Sequence, residues 1–186
     1  MSHAIEVEGL IKTYGPVTAV DGINFTVDRQ EVFGFLGPNG AGKTTTIKIL
    51  ATLLNPTAGQ ARIGGYDVTR DREQVRRLIG MVFQDPTLDE RLTANENLLF
   101  HGMLYGLSAS DVKERAIPLM DMVGLADRAS SLVRTYSGGM KRRLELVRGL
   151  IHRPTVLFLD EPTVGLDPQT RAQIWTHILG KWFVHA

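Results

Sequence analysis

Apolar and polar positions alternate along the first third of the chain. Residues 5–7 (I-E-V) interleave with acids, and residues 23–27 (I-N-F-T-V) keep strict period two, which predicts half-buried strands. Residues 32–36 (V-F-G-F-L) form an unbroken apolar run, the pattern of a strand covered on both faces of a parallel sheet. The stretch Gly37-Pro38-Asn39-Gly40-Ala41-Gly42 predicts a loop. Residues 44–54 then place Ile47, Leu50, Ala51 and Leu54 at helical spacing, with Asn55-Pro56 as the stop. Further strands are predicted at 60–66 and 79–83, and a helical stretch over 93–151 is broken at 106–108, 124 and 137–139. A second unbroken apolar run, 155–159 (T-V-L-F-L), closes the series. Strands, a helical insert and a returning strand predict an α/β core with a helical subdomain inserted between its strands.

Composition narrows the function classes. A length of 186 residues suits one domain at roughly 150 residues each. The absence of cysteine removes disulfide scaffolds, Cys-ligated zinc and thiol catalysis. Lys and Arg number 21 against 20 Asp and Glu, so the net charge of +1 gives no electrostatic footprint for nucleic acid. The basic run Lys141-Arg142-Arg143, with Arg148 and Arg153, reads as the solvated face of a helix. No stretch approaches the ~20 apolar residues of a membrane span, and the first residues, M-S-H-A-I-E-V-E, carry acids rather than the apolar core of a signal peptide. Glycine departs from the average: 19 residues, where ~7% of the chain is usual.

The glycines fall where chemistry needs them. Gly37-x4-Gly42-Lys43-Thr44 fits the phosphate-loop pattern without a gap, between a buried strand and a helix as that motif requires. Glycines let successive N–H groups turn inward to phosphate oxygens, and the helix start adds its positive dipole end. Lys43 is expected to reach the β- and γ-phosphates, and the Thr44 hydroxyl to ligate Mg²⁺. Asp160 ends the second apolar run, so its carboxylate leaves a strand at its C-terminal end, the Walker B arrangement for holding Mg²⁺. Glu161, one residue on, is placed to act as general base on the attacking water. Read by itself, the Asp160-Glu161 pair also fits a turn with two solvated acids. Ser137-Gly138-Gly139 opens another helix, with Ser137 as N-cap and Met140, Leu144, Val147 and Ile151 on one face. Locally this is either an ordinary capped helix or a second anion site, the latter serving another subunit's nucleotide.

Together these motifs resemble the nucleotide-binding subunit of the ATP-binding-cassette (ABC) transporters. The resemblance rests on L-G-P-N-G-A-G-K-T-T-T (36–46), M-V-F-Q (81–84), Y-S-G-G-M (136–140), V-L-F-L-D-E-P (156–162) and G-L-D-P (165–168), in the family's order. Met140, where most members carry Gln, is similar to the daunorubicin-resistance branch of drug exporters. The resemblance implies a RecA-like P-loop NTPase core with an antiparallel β subdomain, over 1–87 and 154–186, and a helical signature subdomain over 88–153. It implies ATP and Mg²⁺ as ligands, with nucleotide contacts from Gly37, Pro38, Asn39, Gly40, Ala41, Gly42, Lys43, Thr44 and Thr45. Tyr14 takes the position that stacks on adenine, although an aromatic at a strand edge needs no ligand to explain it. Gln84 takes the position that touches Mg²⁺ and the attacking water. Ser137, Gly138 and Gly139 meet the γ-phosphate held by a partner subunit, and Asp167 lies at that dimer interface. The implied partners are a second nucleotide-binding subunit and a membrane permease, docked near 89–99, which places the subunit peripherally on the cytoplasmic face of the membrane.

The family also uses a switch histidine, one helix and one strand beyond the Asp167 motif. Only 19 residues follow Asp167, whereas a helix of about 11–12 residues, a loop of about 4 and a strand of about 5–6 exceed that. His177 lies within the expected helix and His185 comes too early, so neither is assigned the role. His3, His101 and His152 read as surface or packing residues. The expectation is a C-terminally truncated or frame-shifted subunit that binds ATP and hydrolyses it weakly or not at all. A soluble ABC ATPase without a membrane partner and a non-catalytic ATP-binding fragment are the competing readings.

Overall fold

A computed structural model describes residues 3–82 and 87–159. They divide into two units, one ending at Ile79 and one beginning at Gly80.

In the first unit, strands β1 (Ile5–Tyr14), β2 (Val17–Val27), β3 (Ala58–Ile63) and β4 (Tyr66–Asp67) form an antiparallel sheet in the order β2-β1-β3-β4. Strand β1 buries Ile5, Val7 and Leu10, a set that breaks period two. The register shifts between Val7 and Leu10, and this bulge turns Leu10 back to the core face. The Gly9 N–H, which the bulge frees from the ladder, donates to Asn24 Oδ1 at 2.7 Å. Helices α1 (Lys43–Leu50) and α2 (Arg72–Leu78) contribute buried Ile49, Leu50 and Val75. The predicted helix over 44–54 stops early, because Thr52 adopts φ 62° and the Leu53 N–H returns to the Lys48 carbonyl.

The predicted strand over 32–36 does not form. Among the described residues it joins no ladder, and Val32, Phe33 and Leu36 are 56%, 40% and 96% exposed. An apolar run becomes a doubly covered strand only where partner strands flank it. Here the contact is aromatic instead: Phe33 stacks on Phe25 at 5.2 Å, and Phe35 meets both rings edge-on.

In the second unit, β5 (Ile79–Val82) pairs with β6 (Val156–Leu159), and helices α3 (Ala94–Leu104), α4 (Ala109–Met122) and α5 (Gly138–Leu150) pack around a common core. Thr93 with Glu96, and Ser108 with Asp111, form capping boxes that fix the starts of α3 and α4. The core joins Leu98 of α3, Val112, Ala116 and Met120 of α4, and Leu144 and Val147 of α5, with Ile151 just beyond it. Strand β5 meets α5 backbone to backbone: a Cβ on Gly80 would lie 2.3 Å from the Gly149 carbonyl oxygen, so only glycine fits.

His101 of α3 lies inside this unit. Its ring is 5.0 Å from that of Tyr105 and 6.0 Å from that of His152, and Tyr105 stacks on His152 at 3.8 Å. Burial first, then the charges of Arg148 and His152, push its pKa down to about 3. The fold therefore holds His101 neutral, while the unfolded chain protonates it near its ordinary 6.5. This contribution to stability is complete above pH 6.5 and is lost as pH falls from there toward 3. Each pH unit in that window costs about 1.4 kcal/mol. Urea unfolding at pH 7.5, 6 and 5 is expected to show a steeper loss of stability for the wild type than for His101→Asn, by about that amount per unit below 6.5.

Candidate nucleotide site

The phosphate loop is built from backbone. Gly40 and Gly42 take φ of 85° and 83°, a left-handed conformation that strains other residues. Gly42 is fixed further by close approach, since a Cβ there would lie 2.2 Å from the Ala19 carbonyl oxygen of β2. The first helical bond of α1 runs from Thr46 N to Gly42 O at 2.8 Å. The N–H groups of Lys43, Thr44 and Thr45 precede that bond and point out of the helix start. Among the described residues no side chain caps this start, and no acid stands in its first turn.

Lys43 Nζ donates to the carbonyls of Gly37 and Pro38, at 2.5 and 2.8 Å, and so lies across the mouth of its own loop. Among the described residues it pairs with no carboxylate. An ammonium held by two neutral carbonyls, an uncapped helix start and an exposed Thr44 hydroxyl suit a polyphosphate and its metal. The donor set fits the group.

Tyr14 ends β1 opposite Val17, on the hairpin whose second strand carries Ala19. The contact of Ala19 with Gly42 brings this hairpin and the loop together. The Tyr14 ring is 50% exposed, with Lys12 Nζ 5.2 Å from its centroid.

In the second unit Ser137 caps α5 as its sequence requires. With extended backbone, its Oγ accepts from Met140 N at 3.3 Å. Among the described residues, a Cβ on Gly138 would meet nothing within 4 Å, and Gly138 is exposed. The apolar face of Leu144, Val147 and Ile151 is fully buried, as its spacing predicts.

The basic run differs from expectation except at Arg153, which is exposed. Arg142 is 5% exposed, Arg143 donates to the Val123 carbonyl at 2.8 Å, and Lys141 pairs with Glu90. Arg148 pairs with Glu145 at 2.7 Å. A helix packed on several sides turns its cations to carbonyls and acids rather than to water. Reading from the sequence also passes over Glu145, which has no exposed surface. The available signal is an acid between Leu144 and Leu146 in a helix whose neighbouring positions are apolar. Gln84, Asp160, Glu161 and Asp167 lie outside the described residues.

The family model described as ABC transporter matches residues 20–164. The daunorubicin/doxorubicin resistance ATP-binding protein DrrA of Streptomyces peucetius is 50% identical over 94% of this chain and 53% of its own length. The linearmycin resistance ATP-binding protein LnrL of Bacillus subtilis is 44% identical over 91% of this chain and 55% of its own. The chain thus spans about half the length of the curated relatives it matches. A solved ATP-binding subunit of an ABC transporter superposes with a TM-score of 0.89 at 33% identity, covering 97% of this chain and 75% of that one. A dimeric post-hydrolysis state of an ATP-binding cassette, bound to ADP and phosphate, gives 0.83 at 28%, covering 94% and 81%. One continuous match runs through the phosphate loop and the Ser137 helix, and the chain belongs to the ABC transporter family.

Proposed function

We propose that this chain is the ATP-binding part of an ABC exporter that drives a drug or another small molecule through a separate membrane permease. The phosphate loop supports this reading most directly: Lys43, bonded to two carbonyls and, among the described residues, to no carboxylate, lies across a helix start that no described side chain caps. The resistance proteins it resembles point to export as the work done.

In this reading the backbone N–H groups of 40–45 hold the phosphates, Lys43 leaves the loop carbonyls for the β- and γ-phosphates, and Tyr14 stacks on adenine. Thr44, Asp160 and Gln84 would hold Mg²⁺, which when bound would neutralise phosphate charge. Glu161 takes a proton from the attacking water as general base. Ser137, Gly138 and Gly139 offer a hydroxyl and free N–H groups to the γ-phosphate bound by a partner subunit, with Asp167 at the shared interface. Closure of two such subunits over two ATPs is the stroke passed to the permease, and it places the protein on the cytoplasmic face of the membrane. Among the described residues no helix is long and apolar enough to cross a membrane; in this reading a separate permease provides the path for the transported molecule.

Titration with a fluorescent ATP analogue tests the loop. Lys43→Ala and Gly42→Ala are each expected to weaken binding at least thirtyfold, the first by charge and the second by backbone, while Glu161→Gln binds as the wild type does. Equal binding by all four proteins would overturn the assignment. Sedimentation with ATP tests the Ser137 helix. Ser137→Ala is expected to lose ATP-dependent dimerisation and to lower stability by about 1 kcal/mol through the lost cap.

A further inference from the structure

Helix α5 carries a polar stripe beside its apolar one. Lys141, Glu145 and Arg148 stand four and three residues apart, on one helix face. All three reach the short segment 87–90. Lys141 pairs with Glu90. Glu145 Oε1 accepts from Thr87 N at 2.6 Å and from Thr87 Oγ1 at 3.4 Å. Arg148 donates to the Thr87 carbonyl at 3.0 Å, to the Thr87 hydroxyl, and to Glu145 Oε2 at 2.7 Å. From α3, Asn97 repeats the arrangement on Asp89: its amide nitrogen donates to Asp89 O at 3.0 Å and its oxygen accepts from Asp89 N at 2.9 Å.

A carboxylate removed from water is tolerated only when its charge is matched and its oxygens are filled. Glu145 has no exposed surface, and what matches it is Arg148 and the main chain of Thr87. An apolar side chain would occupy that volume without the desolvation cost, so core packing does not account for a glutamate here. The segment it holds is irregular, and side chains from two helices supply the hydrogen bonds that a ladder or helix would otherwise give its backbone. Thr87 follows Gln84 by three residues, and Glu145 lies on the helix that Ser137 caps.

We infer that Glu145 is a positioning residue: with Arg148 it fastens the chain leaving Gln84 to the signature helix, so that a displacement at 87–90 carries the Ser137-Gly138-Gly139 helix start with it. The inference rests on the proposed reading of Gln84 and Ser137 as nucleotide contacts. About 12 Å of continuous helix separates Glu145 from Ser137, at 1.5 Å per residue, and a helix transmits such a movement as a rigid body. The coupling is reciprocal: ordering of the helix start by nucleotide also orders 87–90.

Amide hydrogen exchange read by mass spectrometry, with and without ATP, tests this in two variants. Glu145→Gln keeps the volume and removes the charge. Thr87→Ala removes the hydroxyl's bonds to Glu145 and Arg148 while leaving the sequence of α5 unchanged. Without nucleotide, each is expected to speed exchange at least fivefold in both 87–92 and 138–144, with α4 at wild-type rates as the control for global unfolding. In the wild type ATP is expected to protect both segments together, and in Glu145→Gln this joint response is lost. A variant that loosens 87–92 while 138–144 exchanges as in the wild type overturns the clasp. So does a variant in which α4 loosens equally. If ATP protects neither segment in the wild type, the nucleotide reading falls, while the nucleotide-free comparison still decides whether the clasp exists.

Discussion

Burial of helix α5 on three sides is the constraint on which the second unit depends. Leu144, Val147 and Ile151 complete the core made with α3 and α4. Leu146 and Gly149 face the β5–β6 pair, where the helix backbone and strand lie too close for a side chain at Gly80. Glu145 and Arg148 look onto the segment at Thr87. Successive residues turn by about 100°, and from Leu144 to Leu150 nearly all are buried, so this stretch of the helix presents little to solvent. Moving the helix to suit one contact disturbs the other two.

Features set by neighbours in sequence were legible before any coordinates. The phosphate loop needs left-handed φ at Gly40 and Gly42, and the Ser137 cap needs a hydroxyl three residues before Met140; both conditions are local. The amphipathic spacing of Leu144, Val147 and Ile151 likewise followed from the helix repeat. Features set by distant partners were not legible. The clasp joins residues 58 positions apart, and no periodicity marks such a pair. The basic run was misread for the same reason: a cation's environment depends on whether a carbonyl such as that of Val123 lies within reach. The run at 32–36 shows the opposite failure, since it has the composition of a central strand but finds aromatic contacts with Phe25 in place of ladder partners.

The first unit solves a different problem, that of holding a loop made mostly of backbone. Its sheet is bulged at Gly9 so that Leu10 stays in the core, and Asn24 satisfies the amide that the bulge leaves over. The β1–β2 hairpin that results carries both Tyr14 and the carbonyl of Ala19 against which Gly42 rests. Tyr14 and the backbone of the loop at Gly42 are therefore set by one hairpin register.

The contact between positions 19 and 42 is unequal in its tolerance of change. Position 19 takes part through its carbonyl oxygen, an atom that every amino acid supplies, so this contact does not itself specify a side chain there. Position 42 takes part through the absence of a side chain, which a single residue type provides. Sequence variation at such a pair accumulates on one side only. The two positions would show no correlated change, although their backbones are in van der Waals contact.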